Sequence, residues 1–355
     1  MRQRYFENVS WVSLIIGFFR IAILLVIVWG AFNTLKSGTY SGSQWLGLVV
    51  SGLAQGSIYA LIALGYTLVY GILLMINFAH GEVFMAGAFT ASFLANAFKR
   101  SGFLDSSPIV AVLILILFAA AVSSAIAVLL ERIAYRPLRN APRLIPLITA
   151  IGASFFLQYT FLGLYGSGFQ NYPTEAGFLS ENVQVLGTQI PLTQIMVFVS
   201  ALILMVCLYW LVERTKIGKA MRAVSENKEV AALMGVNIDQ IIVITFAIGG
   251  ALAGAAGVIN GIYRPQGVNY RMGFYPGIKA FTSAVLGGIG NVPGAMLGGI
   301  FLGVVESVGP TLILEGLGIP AANQLKDAIA FTMLVLVLIF RPQGILGERL
   351  AEKKA

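Results

Sequence analysis

The chain has 355 residues, 58% of them hydrophobic and only 11% charged, with a formal net charge of +8. Soluble domains carry about 25% charged residues, so this composition excludes an ordinary soluble domain. In so apolar a chain the basic excess reports membrane topology, not nucleic-acid binding. The single cysteine, Cys207, and the single histidine, His80, exclude an internal disulfide, a cysteine metal site and a histidine relay. Apolar runs of about 20 residues match bilayer-spanning helices. They are long and rich in Gly, Ala and Leu, not short and alternating, so strands are not expected. The expected fold is an all-α polytopic membrane protein with about 8–10 transmembrane segments, including broken Gly-rich helices.

In chain order, Arg2 and Arg4 precede a first span near 12–35 that is interrupted by Arg20. The layout resembles a signal peptide, but the run is too long and no small-residue cleavage site follows. An uncleaved helix is expected, with Arg20 facing protein or snorkelling. Residues 36–44 form an outer loop. The stretch 45–98 is too long for one span, and Gly52, Gly56, Gly65 and Gly71 punctuate its first half. Such spacing allows close helix approach or breaks that expose backbone groups. The most polar point, Asn77, His80, Gly81 and Glu82, divides the stretch into a broken helix at 45–77 and a second helix at 82–98. Spans follow at 108–130 and 146–165, around a basic segment with Arg132, Arg136, Arg139 and Arg143. The connection 166–191 has no Lys or Arg. A span at 193–212 enters the polar stretch 213–239, and 240–262 leaves it. Two Gly-rich segments, 277–290 and 293–308, meet at GGIGNVPG, the first too short to cross alone. Residues 326–340 close the membrane part before a basic tail.

Placing the N-terminus, 131–144, 213–239 and the tail in the cytoplasm puts 15 of the 23 basic residues inside. Both termini are then cytoplasmic, provided 45–98 and 277–308 each cross twice.

Within 213–239, Glu229-x-Ala231-Ala232-x-x-Gly235 reads as a short helix over 225–236, opened by Ser225 as N-cap and closed by Gly235. By composition it is either an ordinary loop or a surface helix suited to a groove on another protein. The pattern resembles the "EAA" coupling loop of bacterial ABC-importer permeases. Three further stretches extend the resemblance. They are GLAQGSIYALIALGYTLVYGILLMINFAHGEVFMAGAF (52–89), ERIAYRPLRNAPRLIPLITAIGASFFLQ (131–158) and FTSAVLGGIGNVPGAMLGGIFLGVVE (281–306). Together they resemble the H-type permease subunit of bacterial branched-chain amino-acid ABC importers over residues 45–345. Residues 1–44 depart from it. The chain thus divides into an extension with an extra membrane helix (1–44), a permease domain (45–345) and a basic cytoplasmic tail (346–355).

The resemblance implies two ATP-binding cassette ATPase subunits on separate chains, a second, M-type permease subunit, and a periplasmic or surface substrate-binding protein. It further implies a neutral amino-acid substrate, the bacterial inner membrane, and alternating access coupled through Glu229, Ala231, Ala232 and Gly235. In keeping with this division, the chain has no G-x-x-x-x-G-K-[ST] loop; Gly218-Lys219-Ala220 lacks the spacing and the hydroxyl. No cofactor is expected.

No nucleophile–histidine pair or spaced carboxylate pair suggests an enzyme. Ionisable groups inside spans are functional candidates because lipid makes them costly. Asn77, His80 and Glu82 read as a gate or hinge, or equally as caps that satisfy backbone groups freed by a break. Glu306 is a second candidate, with Lys279 as a partner to test. Gln55, Ser57, Tyr59, Thr67 and Asn77 offer weak polar contacts to a zwitterion, or helix–helix hydrogen bonds. A permease for urea or short amides is the near alternative. An ion-gradient-driven secondary transporter is the distant one, and it would leave the 213–239 loop unexplained.

Overall fold

The computed structural model describes residues 11–347, apart from 140, 143, 174–180, 186, 265 and 342. Arg2, Arg4, Arg143, most of the basic tail and the side of each terminus lie outside the described residues. Helix α1 (Trp11–Ser37) leads to α2 (Gly42–Leu73), α3 (His80–Arg100), the single turn α4 (Phe103–Ser106), α5 (Pro108–Leu130) and α6 (Leu144–Tyr165). A hairpin, β1 (Asn182–Val185) and β2 (Thr188–Pro191), precedes α7 (Leu192–Arg214), α8 (Lys216–Glu226) and α9 (Lys228–Leu233). Then come α10 (Ile238–Tyr263), α11 (Phe274–Gly287), α12 (Val292–Gly309) and α13 (Lys326–Phe340). Among the described residues, 8 helices are long and apolar enough to cross a membrane. Helices α3 and α11 are not among them.

Helix α2 is one uninterrupted helix of 32 residues, not the broken one expected from its glycines. A capping box at Ser41 and Gln44 starts it. Its glycines serve close approach instead. A Cβ on Gly52 would meet the backbone of Gly303 and Val304, and one on Gly56 that of Gly299 and Ile300. The facing Gly299 and Gly303 sit against the backbones of Ala60 and Gly56. The break comes later, at Leu74, which adopts a left-handed φ of 55°. Residues 74–79 then turn back into the bundle, so that His80 packs on Gly65. Helix α3 therefore starts about 12 Å above the end of α2, by the rise of a helix.

The same order of elements occurs twice. Helix α2, the turn 74–79, α3, α5 and α6 are echoed by α10, the connection 264–273, α11, α12 and α13. Both α5 and α12 end in a π turn followed by a 3₁₀ turn, at 131–138 and at 310–317. The halves interlock reciprocally: α2 lies along α12, and α10 lies along α5. Gly250 and Gly254 allow the second contact by facing Ser123, Ala127 and Ala119. The two short helices meet at their starts, Gly81 of α3 against Gly273, the N-cap of α11, and Gly277 within it. Paired, discontinuous helices at a repeat interface are a transporter architecture.

Helix α1 packs on the irregular 310–317 turn, with Gly30 against Ile313 and Gly316 against Gly30. Asn33 Nδ2 donates to the Gly316 carbonyl at 3.1 Å, and Thr34 Oγ1 to that of Thr311 at 3.3 Å. A π-to-3₁₀ run disturbs the regular carbonyl partners, and α1 supplies donors that water cannot supply in lipid. Just beyond α1, Tyr40 donates to Glu315 at 2.6 Å, which holds the phenol above its ordinary pKa. Arg20 stacks over the Phe340 ring at 4.7 Å.

One short hairpin occurs among the described residues and leaves the all-α membrane fold intact. It lies in the connection before α7 and outside any span, and Thr188 donates to the Ser43 carbonyl at 3.2 Å. It packs against the start of α2 at one face of the bundle. Residues 131–139 and 214–239, which hold most of the described basic loop residues, meet at the opposite face.

Gly303→Val is expected to lower stability by about 3 kcal/mol, because the facing atoms are backbone and cannot yield. Gly163→Ala, with open space around it, is expected to be neutral. Thermal melting of both variants in detergent checks the pair.

Candidate functional site

Three polar clusters interrupt the apolar bundle. The first lies at the 74–79 turn. Tyr135 donates to Asn77 Oδ1 at 2.7 Å. The buried His80 ring stands edge-on to Tyr66, with centroids 4.9 Å apart. Glu82 Oε1 accepts from Gln158 at 2.7 Å and Ser154 at 3.3 Å, both on α6. Its other oxygen lies beside Gly273. Helices α3 and α11 both begin there, so two N-terminal partial positive charges face this buried carboxylate. Asn77, His80 and Glu82 do not cap the break. The N-cap of α3 is Ala79, without a side-chain bond, and Asn77 and Glu82 instead bond to other helices.

The second cluster joins four helices. Lys279 Nζ lies 2.5 Å from Glu306 and 2.6 Å from Asp327, on α12 and α13. It also donates to the Tyr59 hydroxyl of α2 at 3.3 Å. The Lys279–Glu306 pair matches the sequence reading. Asp327 and Tyr59 were missed as its partners; a lone acid at the start of the last span was the available signal. Burial without pairing would be costly for either charge.

Of the other path candidates, Ser57 donates to its own helix at Leu53, 2.7 Å away, while Tyr59 and Thr67 are buried and Gln55 is half-buried. They are strung along α2 and are not gathered around one cavity. In this conformation Ser57, Tyr59, Thr67, Asn77, His80, Glu82 and Glu306 are interior packing groups.

The third cluster is at the basic face of the bundle, opposite the hairpin. Thr215 caps α8, accepting from Gly218 N at 3.1 Å, and Asn227 caps α9, accepting from Val230 N at 3.0 Å. Ser225 is therefore not the cap. It sits in the last turn of α8 and donates to Arg222, while the extended backbone that a cap needs occurs at Asn227. Gly235, at φ 83°, ends α9 as expected. Ala231 is buried, and Glu229, Ala232 and Gly235 are exposed. Leu233 and Met234 are 87% and 80% exposed. The basic segment supplies a further network that topology counting missed. Arg139 bonds both Glu131 and Asp239, and Arg136 bonds Asp239 at 2.8 Å.

A family profile described as "Branched-chain amino acid transport system / permease component" matches residues 48–338. The chain belongs to this family. Among curated relatives of this permease, BraD of Pseudomonas aeruginosa is 46% identical over 314 residues, covering 87% of this chain and 98% of BraD. LivH of Escherichia coli K12 is 39% identical over 305 residues, covering 85% and 96%. LivH of Methanocaldococcus jannaschii is 27% identical over 306 residues, covering 84% and 92%. The first two are described as high-affinity branched-chain amino acid transport system permease proteins. No solved structure matches. The permease is a multi-pass membrane transport component and not an enzyme. The matched region begins after α1.

Lys279→Met is expected to destabilise the permease by about 3–5 kcal/mol by stranding Glu306. Lys279→Met/Glu306→Leu is expected to recover most of that loss. Melting temperatures of the two variants in detergent distinguish an ion-pair effect from a packing effect.

Proposed function

We propose that this permease sits in a bacterial inner membrane with both termini in the cytoplasm and imports branched-chain or other neutral amino acids. Two ATP-binding cassette ATPase subunits supply the energy, a periplasmic or surface protein delivers the substrate, and a second, M-type permease subunit completes the path. The permease domain spans 45–345, and the N-terminal extension braces its second half.

The observation that carries this reading is the outward face of α9. Leu233 and Met234 project from a short helix on the polar, basic end of the bundle, away from lipid. Exposed apolar side chains rimmed by charge fit a groove on a partner protein. Ala231, small and buried, lets α9 lie flat on the bundle. Gly235 and its hydrogen-bonded turn then carry α9 into α10 with only a few residues between.

ATP-driven closure of the ATPase pair moves α9, and α10 moves with it. Asn77, His80 and Glu82 serve as the gate, and they meet the substrate only once the helices starting beside Gly81 and Gly273 shift. Gln55, Ser57, Tyr59, Thr67 and Glu306 line the path in the same opened state. The named relatives favour branched-chain amino acids over urea or short amides. The secondary-transporter alternative has no role for α9.

Leu233→Asp/Met234→Asp changes only exposed side chains. Membrane levels are expected to stay normal, while ATPase co-purification and leucine uptake both collapse. Normal leucine uptake by this variant would sink the docking assignment. Competition of leucine uptake by isoleucine and valine, but not by urea, is the expected substrate pattern.

A further inference from the structure

The ion network at the basic face joins the ends of two helices. Glu131 lies in the π turn that ends α5 and is fully buried. Its charge is met by Arg139, whose guanidinium also holds Asp239 in the first turn of α10. Lys228, in the first turn of α9, stands close by; burial and the Arg139 charge keep it below the ordinary lysine pKa. One side chain thus touches the end of α5 and the start of α10, beside the start of α9.

The chain itself links α9 to α10. The bonds Gly235 N to Ala232 O at 2.9 Å and Val236 N to Ala231 O at 3.0 Å make that link a closed turn. Helix α5 has no such covalent link to α9. Its π turn does carry Tyr135, which donates to Asn77 at the break before α3. A displacement of α9 can therefore reach the break by a contiguous polar route that runs beside the direct packing of α10 along α5. It runs from Asp239 to Arg139, to Glu131 and Tyr135 on one turn, and to Asn77.

We propose that Arg139 is a positioning residue for transport, the joint that makes α5 and the 74–79 break follow α9. This rests on the importer reading above and adds to it the element through which docking is transmitted. Arg139 touches no substrate; it acts by holding two carboxylates on two helices.

The test uses the complete complex, co-purified with its ATPase and permease partners, reconstituted in liposomes with its binding protein and given radiolabelled leucine. The readout is ATP hydrolysed per leucine taken up, at matched complex yield. Loss of stability alone lowers yield and leaves this ratio unmoved. Arg139→Gln is expected to keep hydrolysis and raise the ratio by about fivefold or more, the low end of typical coupling between sites. Because Arg139→Gln strands the buried Glu131, Asp239→Ala is made in parallel. Asp239 is about half exposed, and its removal leaves the Arg139–Glu131 pair intact. The same rise is expected there, and a smaller change in Asp239→Ala overturns the proposal. A wild-type complex that hydrolyses ATP without importing leucine overturns the importer reading, and this inference with it. A coupled wild type beside equally coupled variants overturns the Arg139 role alone.

Discussion

The backbone contact between α2 and α12 at Gly56, Gly299 and Gly303 sets the positions of most other groups. Lipid offers no hydrophobic drive between helices, so association depends on close packing and on satisfied polar groups. Glycine against glycine brings the two axes together. It also places Tyr59, one turn along, where Lys279 reaches its hydroxyl. Farther down α2, Gly65 leaves the space that the His80 ring fills. A side chain at that position would push the re-entrant turn out of the bundle, and α3 could not start where it does.

Each buried charge in this bundle has its own answer to desolvation. Glu82 takes two side-chain donors and lies where two helices begin. Lys279 takes two carboxylates. Glu131 takes Arg139. Those partners lie within one half of the repeated arrangement; the bonds that cross between the halves run from Lys279 to Tyr59 and from Arg139 to Asp239. Movement of one half against the other must break or carry these two contacts. That requirement turns a set of stabilising contacts into a small number of discrete arrangements, which is what alternating access needs.

Helix α1 shows how an element outside the matched family region is accommodated. The second half ends α12 in an irregular turn with displaced carbonyl partners. Asn33 and Thr34 meet two of those carbonyls, and Gly30 lets the helix come close enough to do so. The corresponding irregular turn after α5 lies at the basic face of the bundle, where Glu131, Arg139 and Asp239 form a side-chain ion network instead.

The all-helical membrane fold, the order of spans, the short α11 before α12, and the surface helix ending at Gly235 were legible in the sequence. Hydropathy, charge placement and a left-handed glycine are local properties that need no knowledge of neighbours. The Lys279–Glu306 pair was legible as well, because two opposite charges in apolar spans have few other partners. Tertiary structure alone decided that the α2 glycines are packing surfaces and not breaks, since both uses demand the same residue. It also decided that Asn77 and Glu82 bond across helices and that Arg139 joins α5 to α10. These outcomes depend on which faces meet, and residues more than fifty positions apart meet only once the bundle is formed.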